Sequence, residues 1–177
     1  MRRTGLAITE TMIVFTFILP VFHERTPRDQ MNPEYKATVH YAGSDLYVAI
    51  SPSGHAIALE TDGNRNSAPT PVELLLMALG ACTGSDVISI MRKKREKVTS
   101  YHLDIRGLRS ETEPRGFKHI EVRHIVHGYN ISEKALTEAI QLSEARYCSV
   151  AATLRPAAEI VSSYEVVEEG TPAKGAS

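Results

Sequence analysis

The stretch that decides the fold is Pro69-Thr-Pro-Val-Glu-Leu-Leu-Leu-Met-Ala-Leu-Gly-Ala-Cys82, continued by Thr83-Gly-Ser-Asp-Val87. Thr70 offers an N-cap hydroxyl, Pro71 suits the first helical position, and Glu73 is placed to close a capping box. These signals predict a helix from Thr70 to about Lys93, where Arg92-Lys93-Lys94-Arg95 forms a basic terminus that suits the helix dipole. From Val72 to Cys82 the side chains are apolar or small nearly all round. A helix without a polar face needs cover on every side. Either sheet wraps it within one chain, or a second subunit shares it.

Before this helix the pattern is that of strands. Tyr35, Ala37, Val39 and Tyr41 alternate with polar neighbours, Leu46 to Ile50 is a short apolar run, and His55 to Leu59 follows the turn Ser51-Pro-Ser-Gly54. Asp62 to Pro69 is a loop rich in turn formers. After the helix, Tyr101, Leu103 and Ile105 line one strand face, and Ile120, Val122 and Val126 line the next strand. A second helix opens at Ser132, with Ile131 and Leu136 at staple spacing and Ala135, Leu136, Ala139 and Ile140 at helical spacing. It breaks around Arg146 to Ser149. A helical turn to Leu154 and a last strand from Ile160 to Val167 follow. The order βββ-α-ββ-α-β is an α+β arrangement, not an alternating parallel one.

Composition narrows the functional classes. The 177 residues suit one domain, assigned to residues 33–168, with an extension over 1–32 and a flexible tail over 169–177. Twenty basic and 21 acidic residues leave a net charge of -1, which gives no footing for a nucleic-acid partner. No stretch reads as a membrane span, and the absence of G-x-G-x-x-G or P-loop patterns leaves a nucleotide cofactor without support. The start is basic and then apolar over Met12–Phe22, like a signal peptide. No A-x-A-type site follows, and His23 to Gln30 is charged, so an extension that packs on the domain or stays loose is the preferred reading.

Two cysteines cannot build the disulfide framework of a small secreted domain. Buried thiols, one bridge and a redox pair all remain open for Cys82 and Cys148. The small residues Gly80, Ala81, Thr83, Gly84 and Ser85 thin the helix around Cys82, leaving space for a close helix neighbour or a substrate. His119 and His127 share a strand face while His124 points away; eight residues apart, the first two are too distant to chelate one ion, so no metal is expected there. Ser85 lacks a G-x-S-x-G context.

The helix motif through Cys82, with Tyr147-Cys148-Ser149-Val150 further on, resembles the OsmC/Ohr family, in a branch with a P-x-E-L-L-L pattern; the likeness spans Glu34 to Val167. The resemblance implies an intertwined homodimer whose sites lie at the subunit boundary. It implies thiol-dependent reduction of organic hydroperoxides in the cytoplasm, without a cofactor and with an external dithiol as reductant. By the same resemblance Cys82 attacks the peroxide and Cys148 resolves the sulfenic acid as a disulfide. Leu75, Met77 and Leu79 are the expected apolar walls.

The match departs from the family pattern near the thiol. The family's glutamate lies ten residues before the attacking cysteine, where this chain has Val72, and Glu73 is rotated from it by about 100°. Glu73 thus has two readings, a helix cap and a catalytic carboxylate. Arg65 is the nearest candidate in sequence for the family's activating arginine, with Arg106 and Arg109 on another strand. Two rivals stand beside the peroxidase: a small-molecule-binding or redox-sensing dimer, and an acyl-transfer enzyme using Cys82, which needs a histidine within hydrogen-bond reach.

Overall fold

The computed structural model describes residues 34–61 and 65–170. The expected N-terminal extension and the end of the tail lie outside them. Among the described residues, all regular elements fall in the compact unit that begins at Ala37. They are β1 (Thr38–Gly43), β2 (Leu46–Ile50), β3 (Ala56–Glu60), α1 (Pro71–Lys93), β4 (Lys97–Arg109), β5 (Phe117–Tyr129), α2 (Glu133–Leu142), a π-helical turn (Ser143–Tyr147), α3 (Ser149–Leu154) and β6 (Glu159–Glu168). The predicted element order holds. The first strand starts later than the alternation suggested, at Thr38.

The strands form two separate three-stranded sheets, β1-β2-β3 and β4-β5-β6. The first is an antiparallel meander, closed after β2 by a turn in which Gly54 takes a φ of 81°. In the second, β4 and β5 make a long antiparallel hairpin, and β6 returns parallel to β5 after the α2–α3 crossover. Register pairs Tyr101 with Val126, Leu103 with His124 and Ile105 with Val122. Period-two alternation therefore gives one hairpin face to the core.

That face holds α1. Val87 and Met91 pack with Val126, Ile131 and the buried stripe Ala135, Leu136, Ala139 and Ile140 of α2. Leu79 packs lower on α1 with Phe117, Ile120, Val122, Ala151, Ala158 and Cys148. Gly80 and Gly84 make room for β4: a Cβ on Gly80 would lie 2.4 Å from Ile105 Cδ1, and one on Gly84 2.9 Å from Leu103 Cδ1.

One expectation about α1 loses the first of its two alternatives, and another needs correction. Within this chain the helix is not buried on every side. Leu79, Gly80, Thr83, Gly84, Val87 and Met91 are buried, while Leu75 and Met77 are 43% and 56% exposed. One layer of sheet and one short helix can cover only one stripe of a cylinder. The helix is also long and apolar enough to cross a membrane, 23 residues with mean hydropathy 1.8 over its best window, contrary to the reading that nothing reaches that length.

His124 takes the packing role expected of it, on the core face of β5 and fully buried. Its Nδ1 shares a 2.7 Å hydrogen bond with the Tyr101 hydroxyl, and Nε2 has no partner among the described residues. Burial lowers its pKa from 6.5 to about 4. The unfolded chain therefore binds more protons between those values, so stability falls as pH drops from about 6.5 to about 4, by roughly 3 kcal/mol at most. Urea midpoints measured across that window should decline, and His124→Leu should flatten the slope. An unchanged slope in His124→Leu would assign the acid sensitivity elsewhere.

Gly128 is fixed by its surroundings in β5. A Cβ there would meet the Lys97 carbonyl oxygen at 2.3 Å and Ile131 Cδ1 at 2.7 Å. The first neighbour is backbone held in the β4–β5 ladder and cannot swing aside. Gly128→Ala is expected to cost about 2–3 kcal/mol, a fall of roughly 5–10 °C in Tm for a chain of this size. Thermal unfolding followed by circular dichroism checks it.

Candidate active site

Thr70 and Glu73 set the helix that carries the first thiol. Both halves of the capping box form: Glu73 N–H donates to Thr70 Oγ1, and Glu73 Oε2 accepts from Thr70 N at 2.7 Å and Thr70 Oγ1 at 2.9 Å. Those Thr70 hydrogen bonds, backbone first, hold the Glu73 carboxyl below its ordinary range. In this chain the carboxylate is thus engaged as a cap.

Cys82 lies three turns into α1 and is partly exposed; Cys148 is buried. The break after α2 explains the second position. The π-helical turn Ser143–Tyr147 ends at Cys148, which leaves helical geometry and serves as N-cap of α3. Its Sγ accepts hydrogen bonds from Ala151 N and from the buried Thr83 Oγ1, each at 3.3 Å. Thr83 follows Cys82 on α1, so the same helix turn presents both a hydroxyl and a thiol to Cys148. Burial pushes the Cys148 thiol up from its ordinary pKa; the bonds from Thr83 and Ala151 oppose this, and the neighbouring Cys82 adds to it.

The tertiary fold thus brings together two cysteines that the sequence keeps far apart. A third group joins them. The Sγ atoms of Cys82 and Cys148 and a carboxylate oxygen of Asp86 all lie within 4.8 Å of one another. Ser143, fully buried, donates through Oγ to Asp86 Oδ2 at 2.9 Å. From sequence, Asp86 and Ser143 were not singled out, and Thr83 was read only as a small neighbour of Cys82. Asp86 alone carried a signal, four residues after Cys82 and hence on the same helix face.

Other expected site residues lie elsewhere. Arg65 donates from Nη1 to the Ser44 carbonyl at 2.9 Å, and its backbone N–H donates to Glu60 Oε1. The guanidinium is directed to the β1–β2 turn, not to the thiols. Glu60, buried at the end of β3, also accepts from Ser67 N and Oγ, and these bonds hold its carboxyl below the ordinary range. Its role is to anchor the loop that delivers the chain to α1. Arg109 donates from Nε to the Arg115 carbonyl. Among the described residues, no histidine hydrogen-bonds to Cys82, so none of them supplies the base that the acyl-transfer rival needs.

The expected apolar walls are also revised. A groove of about 1170 Å³ runs along the exposed side of α1 and over β4, lined among others by Leu76, Met77, Gly80, Ala81, Tyr101 and Leu103. Met77 belongs to it. Leu79 is sealed in the core, and Leu75 is exposed outside the groove, because each is rotated away from it on the helix.

A long helix laid on a β-hairpin, with a paired thiol at its middle and a second thiol capping the crossover helix, defines a two-cysteine α+β thiol protein. Residues 63–163 match the family described as OsmC-like protein. The chain belongs to the OsmC-like family. It is 40% identical over 133 residues to protein YhfA of Escherichia coli, covering 75% of this chain and 98% of that protein. Among solved structures, an OsmC-like protein from Mycoplasma pneumoniae superposes with a TM-score of 0.68 at 22% identity, covering 77% of this chain and 99% of that one. An organic hydroperoxide resistance protein from Legionella pneumophila shares the fold at 16% identity and a TM-score of 0.56, covering 75% and 97%.

Proposed function

We propose that the protein is a homodimeric, thiol-dependent reductase of organic hydroperoxides. The observation that carries this reading is the pair of thiols within 4.8 Å of each other, one partly exposed and one buried. The Cys82 thiolate attacks the distal oxygen of ROOH, the O–O bond breaks, and the alkoxide leaves as ROH after taking a proton. Cys82 is then a sulfenic acid. The Cys148 sulfur displaces its hydroxyl, which leaves as water, and a disulfide forms. An external dithiol returns both thiols by exchange and is itself oxidised. Family membership supports the chemistry, as does the fold shared with a protein described as an organic hydroperoxide resistance protein.

The dimer rests on uncovered apolar surface. Met77 and Leu75 on α1, and Val39, Tyr41 and Ile57 on the first sheet, are all exposed in one chain. A second copy covers such surface by isologous contact.

One observation favours a second reading, a non-catalytic redox-sensing dimer. Arg65, the arginine expected to activate the thiol, is held at the Ser44 carbonyl instead. Cumene hydroperoxide consumption by the reduced protein with a dithiol decides between them. Sustained turnover supports the reductase; a single oxidation without turnover leaves the sensor.

A further inference from the structure

The two sulfurs and the Asp86 carboxylate have a geometry that redox chemistry alone does not require. Cys82 and Asp86 stand one turn apart on one face of α1, and Cys148 reaches the same point from the cap of α3. Their ligand atoms lie within 4.8 Å of one another. Tetrahedral thiolate and carboxylate ligands around a zinc-sized ion sit about 3.5–3.8 Å apart, given metal–sulfur bonds of about 2.3 Å and metal–oxygen bonds of about 2.0–2.2 Å. Side-chain rotation of the order of an ångström closes the set.

The surroundings suit a cation. Ser143 Oγ holds one carboxylate oxygen, in the manner of groups that orient a metal ligand. Thr83 and Ala151 donate to the Cys148 sulfur, bonds that a thiolate accepts better than a thiol. Among the described residues, no lysine or arginine lies within 4.0 Å of Asp86. Three potential anions thus converge without a cationic side chain paired to the carboxylate.

We propose that the reduced protein binds one thiophilic divalent cation of the zinc class per chain, through Cys82 Sγ, Cys148 Sγ and the Asp86 carboxylate, with a fourth position left to water. On binding, both thiols pass their protons to solvent, and two metal–sulfur bonds form. The site goes beyond the reductase reading and stands without it, since binding requires no turnover. The two states exclude each other. A hydroperoxide that oxidises the pair to a disulfide takes both sulfur ligands and releases the ion.

Cobalt(II), added to the reduced full-length protein in oxygen-free buffer, is the probe. The expected result is one Co²⁺ per chain, with near-ultraviolet sulfur-to-cobalt absorption and the visible bands of a tetrahedral ion, both displaced by Zn²⁺. Cys82→Ser and Cys148→Ser should each lose about half of the sulfur-to-cobalt intensity. Asp86→Asn, near-isosteric and checked for fold by circular dichroism, should bind at least tenfold more weakly. Protein oxidised to the disulfide should show no bands. Absence of sulfur-to-cobalt absorption with both thiols free overturns the site, and so does binding only at millimolar Co²⁺. Asp86→Asn binding as tightly as the parent overturns the three-ligand assignment. Peroxide turnover, measured separately, moves none of these readouts.

Discussion

Cys82→Ser is expected to reduce cumene hydroperoxide consumption to the uncatalysed background, while the protein keeps its fold and oligomeric state. Cys82 is the partly exposed member of the pair, so a peroxide reaches it without the core opening. A serine hydroxyl is not ionised near neutral pH and cannot break the O–O bond, whereas a thiolate can. Cys148→Ser should behave differently. Its buried partner position, capped by Ala151 N–H and Thr83, cannot meet an incoming peroxide but can meet a sulfenic acid on Cys82. That variant should oxidise once per chain and stall, its sulfenic acid trapped by a dione reagent and seen by mass spectrometry. Equal, continued turnover in both variants would remove the pair from the chemistry.

The second large effect concerns the exposed side of α1. Met77→Lys together with Ala81→Lys should convert the proposed dimer to monomer in sedimentation velocity at micromolar concentration, weakening association by roughly 100-fold or more. Both side chains are exposed in a single chain and line the groove, so the charges are solvated in the monomer. Closing a second copy over them buries two ammonium groups per chain without a partner. The single-chain core, built on the buried residues Leu79, Val87 and Met91, should survive with circular dichroism unchanged. A parent protein that sediments as a monomer would withdraw the dimer altogether.

Both effects turn on surfaces and meetings that differ in how they are encoded. The cap at Thr70–Glu73, the length of α1, the apolar stripe of α2 and the break before Cys148 were legible because each depends on residues within about one helical turn. The strand faces were legible for the same reason: Ile120, Val122 and Val126 alternate into the core as period-two patterning requires. The motif through Cys82 carried the family likeness, read over Glu34 to Val167 and matched over residues 63–163. Glu73 illustrates the boundary. Its spacing from Thr70 predicted a cap, but whether the carboxylate remained free for chemistry depended on bonds that only the folded chain displays.

By itself, the sequence determined the elements, their order and the positions of two thiols on separate segments. Only the tertiary structure decided that these thiols meet, that Asp86 and Ser143 join them, that Arg65 turns to Ser44, and that one stripe of α1 stays uncovered. Helix caps and apolar periodicity are short-range, fixed by bonds and contacts between near neighbours along the chain. The meeting of α1 with the cap of α3 depends on the β4–β5 hairpin and the crossover that carry the chain back to α1, and no local pattern of residues records where two distant segments touch.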